Sequence, residues 1–234
     1  NVSGDATPAD AALTALRREV SHVSVTAATF VAGEPAEAEL AKPDVISRAE
    51  WGAERRRGGC EPRQRPEYGG VRAAVVHHTV SANKYTQAEA PGMVLAICRY
   101  HRNANGWDDI GYNGVVDRFG NLYEGRGGGL GRAVVGAHAE GFNNQTSGVA
   151  SLGTHTKETL SKAAMTTMAD LIAWKLVKHN KTASGRTTLV SGGGSANRYD
   201  AGDRVRVRRI IGHRKLGLTE CPGTFLHRDL DRLR

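Results

Sequence analysis

Runs of apolar residues along the chain follow two patterns, one typical of buried strands and one typical of helices. Continuous or alternating apolar runs predict strands at VRAAVVHHTV (71–80), SGVASLGT (147–154) and VRVRRIIGH (205–213). Apolar residues at helical spacing predict helices over residues 88–101, 157–179 and 225–233. The stretch NGVVDRFGNLYEGR (113–126) predicts a hairpin with a Gly-Asn turn. Because strands and helices interleave, we expect an α/β fold with a central mixed β-sheet flanked by helices.

The first 44 residues follow a different pattern from the rest of the chain. Residues 8–19 predict a short helix, and residues 22–31 predict an alternating strand. Residues 32–44 are rich in Ala, Glu and Pro and carry no core pattern. We therefore divide the chain into an N-terminal arm or linker segment, 1–44, and a main domain, 45–234. A linker, an autoinhibitory arm and a docked strand all fit the first segment.

The chain of 234 residues carries a net charge of +8 and has a pI near 9.7, which predicts a negatively charged partner such as nucleic acid, an anionic cell wall or a membrane surface. Arginines cluster at 55–57, at 63 and 65, and at 204–209, without interleaved aromatic residues. This absence argues against a stacking platform for single-stranded nucleic acid. We expect no nucleic-acid partner, and a nucleic-acid-binding protein stays as an alternative that the pI alone suggests. No apolar run reaches roughly 18 residues, so we expect no transmembrane segment. The first residue is Asn and no signal-like segment follows, which leads us to expect a processed chain.

Two Gly-rich segments, GRGGGLG (125–131) and SGGGS (191–195), look like phosphate-binding loops only superficially. Neither has the lysine of a Walker motif or a GxGxxG frame after a strand. We interpret both segments as flexible loops.

Histidine ends two of the predicted strands. His77 and His78 follow VRAAVV, and His213 follows RIIG. If these strands are neighbours, their imidazoles meet at one edge of the sheet, although strand alternation allows only one of His77 and His78 to face a given side. Cys221, eight positions after His213, would add a sulfur to two nitrogens. Three such ligands with an open fourth position are typical of catalytic zinc, whereas the alternative is an ordinary core or surface histidine.

Six segments carry a family resemblance and occur in order along the chain. They are SRAEWGA (47–53), VVHHT (75–79), GWDDIGYNGVVDRFGNLYEGR (106–126), GAHAEGFN (136–143), SGVASLGT (147–154) and GHRKLGLTECPG (212–223). Together they resemble the peptidoglycan recognition proteins and the phage-lysozyme-type amidases, from about residue 45 to the C-terminus. The segment RTTLVSGGGSANRY (186–199) resembles an insert of the secreted actinobacterial members. The resemblance implies the fold of this family, the type 2 amidase fold.

The resemblance also implies roles for individual residues. It implies that His77, His213 and Cys221 bind zinc, and that the phenol of Tyr112 lies over the open metal position. Thr219 stands where the phage enzymes have lysine. After Tyr112, it is the second candidate for donating a hydrogen bond to the oxyanion, the substrate oxygen on which negative charge develops during hydrolysis. The remaining candidates, which would contact substrate, are His78, Trp107, His138 and Asn143. Packing is the alternative for Trp107, and a solvated loop is the alternative for His138 and Asn143.

The activity implied by the resemblance is zinc-dependent hydrolysis of the amide bond between N-acetylmuramic acid and L-alanine in peptidoglycan. Zinc lowers the pKa of bound water to about 7 and polarises the amide carbonyl, while Tyr112 and Thr219 would donate hydrogen bonds as charge develops. Inactive family members commonly replace the cysteine that this chain keeps as Cys221. We therefore expect a secreted, monomeric cell-wall enzyme, with a non-catalytic peptidoglycan-binding module as the alternative.

Three cysteines leave their pairing open. Cys60 lies in the loop GGCEPRQRP (58–66), and Cys98 lies in a predicted helix whose core-facing residues are predicted to be Met93, Val94, Ile97 and Tyr100. A Cys60–Cys98 bridge would tie this loop to the outside of the helix and leave Cys221 as a thiolate ligand. The alternative is two unrelated thiols.

Overall fold

The computed structural model describes residues 40–234. The helix predicted at 8–19 and the strand predicted at 22–31 lie outside the described residues, so the division of the chain after residue 44 stays a prediction. Within residues 40–234, no helix is long and apolar enough to cross a membrane.

A five-stranded sheet forms the centre of the fold. Its strands, numbered along the chain, are β1 (Ala73–His78), β2 (Gly114–Val116), β3 (Leu122–Glu124), β4 (Thr146–Ser151) and β7 (Ile210–Gly212). The order across the sheet is β3-β2-β4-β1-β7, with β3 antiparallel to β2 and the other neighbours parallel. β1 and β4 are buried at every residue, as their apolar runs predict for central parallel strands. The mixed α/β architecture is therefore confirmed.

Two long helices cover the two faces of this sheet. α1 (Ala90–Asn103) shares a buried cluster with Val115 of β2, and α2 (Lys162–Lys178) shares one with the next residue, Val116. Because successive residues of a strand point to opposite faces, the two helices lie on opposite sides of the sheet. The fold is thus a three-layer arrangement of helix, sheet and helix.

Some helix ends differ from the predicted ones. The pattern predicts α2 over 157–179, but the helix begins only after Ser161, whose hydroxyl accepts a hydrogen bond from the Ala164 amide at 3.0 Å. Such a bond satisfies one of the free amides at a helix start. The helix predicted over 225–233 is instead two short helices, α3 (Thr224–Arg228) and α4 (Leu230–Leu233).

The strand predicted at 205–213 is two strands in two different sheets. β6 (Arg204–Arg208) pairs antiparallel with β5 (Arg186–Val190) in a two-stranded sheet, whereas β7 pairs with β1. The residue pattern explains the division. RVRVR alternates and suits a sheet with one solvated face, while IIG is apolar and suits the buried sheet. β5 and β6 therefore form a hairpin separate from the central sheet, and Arg209 joins its second strand to β7.

A disulfide joins Cys60 to Cys98, with an S–S distance of 2.01 Å. Its predicted place on the outside of α1 is wrong. Tyr100, predicted to face the sheet, is 62% exposed. The buried residues of α1 are instead Ala90, Val94, Leu95, Cys98 and His101. Cys98 thus points into the core, and the bridge ties the loop 58–66 to the inner side of the helix.

Candidate metal centre and substrate groove

β1 and β7 bring two histidines together at one edge of the central sheet. In their parallel register Val76 lies beside Gly212, so that the following residues, His77 and His213, become neighbours. Their ring centroids are 4.6 Å apart. The carboxyl ends of parallel strands meet at one edge of a sheet, which is where ligand sites form in such folds. The structure therefore brings together the two histidines that the strand pattern indicated.

Cys221 joins this pair from the loop that follows β7. Its Sγ lies 3.6 Å from His77 Nδ1 and accepts a hydrogen bond from the His78 amide at 3.4 Å. The loop is held by the Arg214 amide, which donates to the Cys221 carbonyl at 2.8 Å. Thr219 Oγ1 also accepts a hydrogen bond from the Cys221 amide at 3.1 Å. One donor atom from each histidine and the sulfur all lie within 4.8 Å of one another.

The ionisation of these three side chains fits a divalent metal ion. Burial lowers the pKa of His77 well below its usual value and that of His213 to about 4, so both imidazoles keep a lone pair at neutral pH. Burial also raises the pKa of the Cys221 thiol to about 12, and a bound cation would deprotonate it. Two imidazole nitrogens and one thiolate suit Zn²⁺, and three protein ligands leave a fourth position for water or substrate.

His138 contacts the second ring nitrogen of His77. His77 Nε2 and His138 Nδ1 are 3.2 Å apart. If His77 Nδ1 binds a metal, its Nε2 carries the proton and donates a hydrogen bond to His138 Nδ1, which fixes the tautomer of His77. Burial lowers the pKa of His138 to about 3, so its ring is neutral and can accept this bond. The ring lies against Gly136 and Gly148, where a Cβ would collide with it. The sequence did not indicate this contact.

Tyr112 packs beside the same group. Its ring centroid lies 5.2 Å from that of His77 and 5.4 Å from that of His101. Burial, with a smaller contribution from Cys221, raises the pKa of the phenol well above its usual value. The phenol is therefore a neutral hydrogen-bond donor at neutral pH. The hydroxyl of Thr219 uses its oxygen as an acceptor for the cysteine amide, which leaves its proton available for another partner.

A pocket of about 380 Å³ opens beside His213. Three residues indicated as substrate contacts line it, namely Trp107, His138 and Asn143. Asn143 also shapes the pocket wall, because its Oδ1 accepts hydrogen bonds from the amides of His138 at 2.9 Å and Ala139 at 2.8 Å. In a solvated loop, the alternative for this segment, the Asn143 side chain would bind water instead of these two amides.

Another wall of this pocket comes from the Gly-rich loop between β5 and β6. Ser195 and Ala196 line the pocket. The Asn197 side-chain amide donates to the carbonyl of Glu140 at 2.9 Å, and the Ala196 amide donates to the carboxylate of Glu140 at 2.6 Å. The loop also contacts the segment that carries Cys221, since the Leu218 amide donates to the Ala196 carbonyl at 2.8 Å. The composition of SGGGS indicated only a flexible loop. These contacts join segments that are distant in the chain, so the composition could not show them.

A second pocket, of about 580 Å³, includes Gly136, two residues before His138. Side chains of both charges line it, namely Arg65, Glu67, Asp108 and Arg126, together with Asp109, whose buried carboxylate is already bound by Arg48 and the Gly127 amide. A pocket with this lining suits a ligand that carries ionised groups of both signs, such as a peptide.

His78 points to the other face of β1, as strand alternation requires. Its Nδ1 accepts a hydrogen bond from the His155 amide at 3.1 Å, and its side chain lines neither of the two pockets. The structure does not bring His78 to either pocket, so its predicted contact with substrate has no structural support.

Known proteins are similar to this chain in sequence and in fold. A family profile described as N-acetylmuramoyl-L-alanine amidase (Amidase_2) matches residues 67–224. Peptidoglycan-recognition protein SC2 of Drosophila melanogaster is 32% identical over 186 residues, which cover 80% of this chain and 84% of that protein. The N-acetylmuramoyl-L-alanine amidase of Sus scrofa is 33% identical over 201 residues, which cover 85% of this chain and 29% of that protein.

The fold has solved counterparts. The structure of peptidoglycan recognition protein-LE in complex with tracheal cytotoxin superposes with a TM-score of 0.61 at 25% identity, covering 80% of this chain and 92% of that one. The family profile spans more than half of the chain, and its range includes His77, His213 and Cys221. The chain therefore belongs to the Amidase_2 family of N-acetylmuramoyl-L-alanine amidases.

Proposed function

We propose that the chain is a secreted, monomeric, zinc-dependent amidase that hydrolyses the bond between N-acetylmuramic acid and L-alanine in peptidoglycan. The observation that carries this proposal is the convergence of donor atoms from His77, His213 and Cys221 within 4.8 Å, beside a pocket of about 380 Å³. Peptidoglycan as the partner is supported by the related recognition protein-LE, which binds tracheal cytotoxin, a monomeric diaminopimelic acid-type peptidoglycan.

Each residue near the metal centre has one task in this proposal. Zinc held by His77, His213 and Cys221 would supply Lewis-acid polarisation of the amide carbonyl and a water of lowered pKa. Tyr112 remains a neutral phenol and donates a hydrogen bond to the oxygen on which negative charge develops. Thr219 is the second donor, because its hydroxyl proton is not needed for its bond to the cysteine amide.

The surrounding residues position the metal ligand and the substrate. His138 holds the ring of His77 through the contact at Nε2. In the first pocket, the half-buried indole of Trp107 offers an apolar surface for a sugar or peptide. The second pocket, with its charged lining, suits the stem peptide.

The alternative function is a non-catalytic module that binds peptidoglycan in the same pockets. The similarity to a recognition protein favours it. The retained Cys221 favours catalysis, because a thiolate completes the three-ligand set that leaves an open position on zinc.

Mass analysis of peptidoglycan digests separates these two functions. The purified chain, supplied with zinc, is incubated with walls of lysine and diaminopimelate type. We expect release of free stem peptides that begin with L-alanine, together with glycan that has lost them. Chelation should abolish the release, and added zinc should restore it. Binding to the wall without any released peptide would support the non-catalytic module instead.

A further inference from the structure

The hairpin of β5 and β6 has one face toward the core and one toward solvent. Its inner side chains, Leu189, Val205 and Val207, share a buried cluster with Val75 and Phe142. Because side chains alternate along a strand, the residues between them form the outer face. The outer face consists of Arg186, Thr188, Val190, Arg204, Arg206 and Arg208.

Four of the six outer positions are arginine, and we call these four residues the arginine row. Arg204, Arg206 and Arg208 follow one another on β6, about 7 Å apart. Arg186 lies directly opposite Arg208 in the register of the hairpin. Like charges in opposite positions destabilise a strand pair. The hairpin thus keeps its positive charges together although they weaken its own pairing.

The described part of the chain does little to neutralise the arginine row. Of its four members, only Arg208 forms an ion pair with a residue in the range 40–234, at 3.5 Å from Asp231. The two side chains are 51% and 77% exposed, and exposed ion pairs contribute little to stability. Residues 40–234 therefore leave most of the positive charge of the row available to a partner.

The composition of the outer face points to phosphate groups. All four cations are arginine, whose planar guanidinium matches phosphate oxygens through two parallel hydrogen bonds. The other two residues are Thr188 and Val190, so the face has no aromatic side chain on which nucleic-acid bases could stack. A single valine also offers too little apolar surface for insertion into a membrane.

We propose that the arginine row binds a linear phosphodiester polymer with small polyol repeats, of the poly(glycerol phosphate) kind. One phosphate in each short repeat places negative charges along a line, as the row places positive ones. The loop at the tip of the same hairpin lines the pocket beside His213 through Ser195 and Ala196. A polymer bound to the row would therefore lie on the same hairpin that forms one wall of this pocket.

Two triple variants of the whole chain test this proposal. Arg186→Gln, Arg204→Gln and Arg206→Gln together remove three charges from the row and leave the inner face of the hairpin intact. Arg55→Gln, Arg56→Gln and Arg57→Gln, the control, remove three charges from another exposed group. Binding of fluorescently labelled poly(glycerol phosphate) is measured by anisotropy at several salt concentrations.

We expect the row variant to bind at least about tenfold more weakly and the control less than about threefold more weakly. The slope of log K against log salt should fall by about 2 in the row variant, if each phosphate contributes the roughly 0.7 known for single-stranded nucleic acid. Equal losses in both variants would overturn the proposal, because net charge alone would explain them. Absence of binding would overturn it too, as would tighter binding of the wild type to oligothymidylate or poly-L-glutamate.

The binding test is independent of the proposed amidase activity, because the row lies outside the metal centre and both pockets. Hydrolysis of a soluble muropeptide by the row variant should equal that of the wild type. A wild-type chain that binds the polymer but hydrolyses no muropeptide would contradict the proposed amidase function and leave the arginine row supported.

Discussion

His77 and His78 are neighbours in the chain, yet they belong to different arrangements on the two faces of β1. On the first face, His77 lies with His213 and Cys221 so that their donor atoms are within 4.8 Å of one another. On the second face, His78 Nδ1 accepts a hydrogen bond from the amide of His155 at 3.1 Å. The first arrangement brings three possible metal-donor atoms close together, whereas in the second the ring nitrogens form hydrogen bonds within the protein.

The second face shows why a shifted pKa alone does not identify a site. His155 Nε2 lies 2.9 Å from Ser151 Oγ, and its Nδ1 lies 3.1 Å from the carbonyl of Glu158. Burial lowers the pKa of His78 to about 4, as it does for His213 on the first face. Burial thus acts on both faces alike. A pocket of about 270 Å³ borders Ser151 and His155 on the second face too. The faces differ in geometry, because of the two only the first has metal-donor atoms that converge.

The largest expected effect is that of Cys221→Ser. Serine keeps the shape of the side chain but replaces a thiolate by a hydroxyl, which is a poor zinc ligand. Losing a hydrogen-bond partner of a metal ligand typically lowers metal affinity by roughly 10- to 100-fold. Losing the ligand itself should lower zinc affinity by more than this, and turnover should be lost with it. Zinc affinity is measured by competition with a chromogenic chelator.

Thermal unfolding of the metal-free Cys221→Ser protein serves as the control, since its stability should change far less than its activity. Near-wild-type zinc affinity in this variant would show that Cys221 is not a zinc ligand. The first face of β1 would then lack the three-ligand group that distinguishes it from the second.

Tyr112→Phe should have the next largest effect, and on turnover only. The ring stays in place beside His77, while the neutral donor is lost. We expect turnover to fall by roughly 10- to 1,000-fold, the range for removing one oxyanion donor, with unchanged zinc affinity. Steady-state hydrolysis of a soluble muropeptide and the chelator competition measure the two quantities. If turnover did not change, the oxyanion role would pass to Thr219.

A pair of substitutions at His138 tests whether this residue positions His77. In His138→Leu the acceptor for His77 Nε2 is lost, and we expect zinc affinity to fall by roughly 10- to 100-fold. In His138→Asn the side-chain oxygen can stand in for Nδ1, so the loss should be within about threefold. Both affinities are measured without substrate. A raised KM with unchanged zinc affinity in His138→Leu would instead support the substrate contact that the sequence indicated.

Much of the first face was predictable from the sequence. Buried parallel strands have continuous apolar runs, and these runs end at His77 and His213, which places two imidazoles at one sheet edge if the strands are neighbours, as they are. Alternation further requires His77 and His78 to diverge. The family resemblance was needed to choose His77 over His78 and to add Tyr112. Periodicity does not say which face of β1 lies beside the substrate pockets.

Contacts between distant segments could not be predicted in this way. His77 and His138 are 61 residues apart, and nothing in either local pattern indicates their hydrogen bond. The run 205–213 illustrates another limit. The change from the alternating RVRVR to the apolar IIG fits two different sheets, but both are strand patterns. The pairing partners of β6 and β7 were therefore needed to place the break at Arg209. The wall formed by Ser195 and Ala196 depends on this hairpin and was missed for the same reason.

Ser151→Ala should have the smallest effect, confined to stability, and it tests the second face. Ser151 is 1% exposed and its hydroxyl lies 2.9 Å from His155 Nε2, so the substitution leaves a buried ring nitrogen without a partner. The expected loss is about 1–3 kcal/mol of unfolding free energy, measured by urea denaturation of the metal-free protein. Zinc affinity and turnover should not change, because His78 and His155 contribute no donor atom to the group around His77. Weaker zinc binding in this variant would show that the two faces are coupled through β1, and it would contradict their independence.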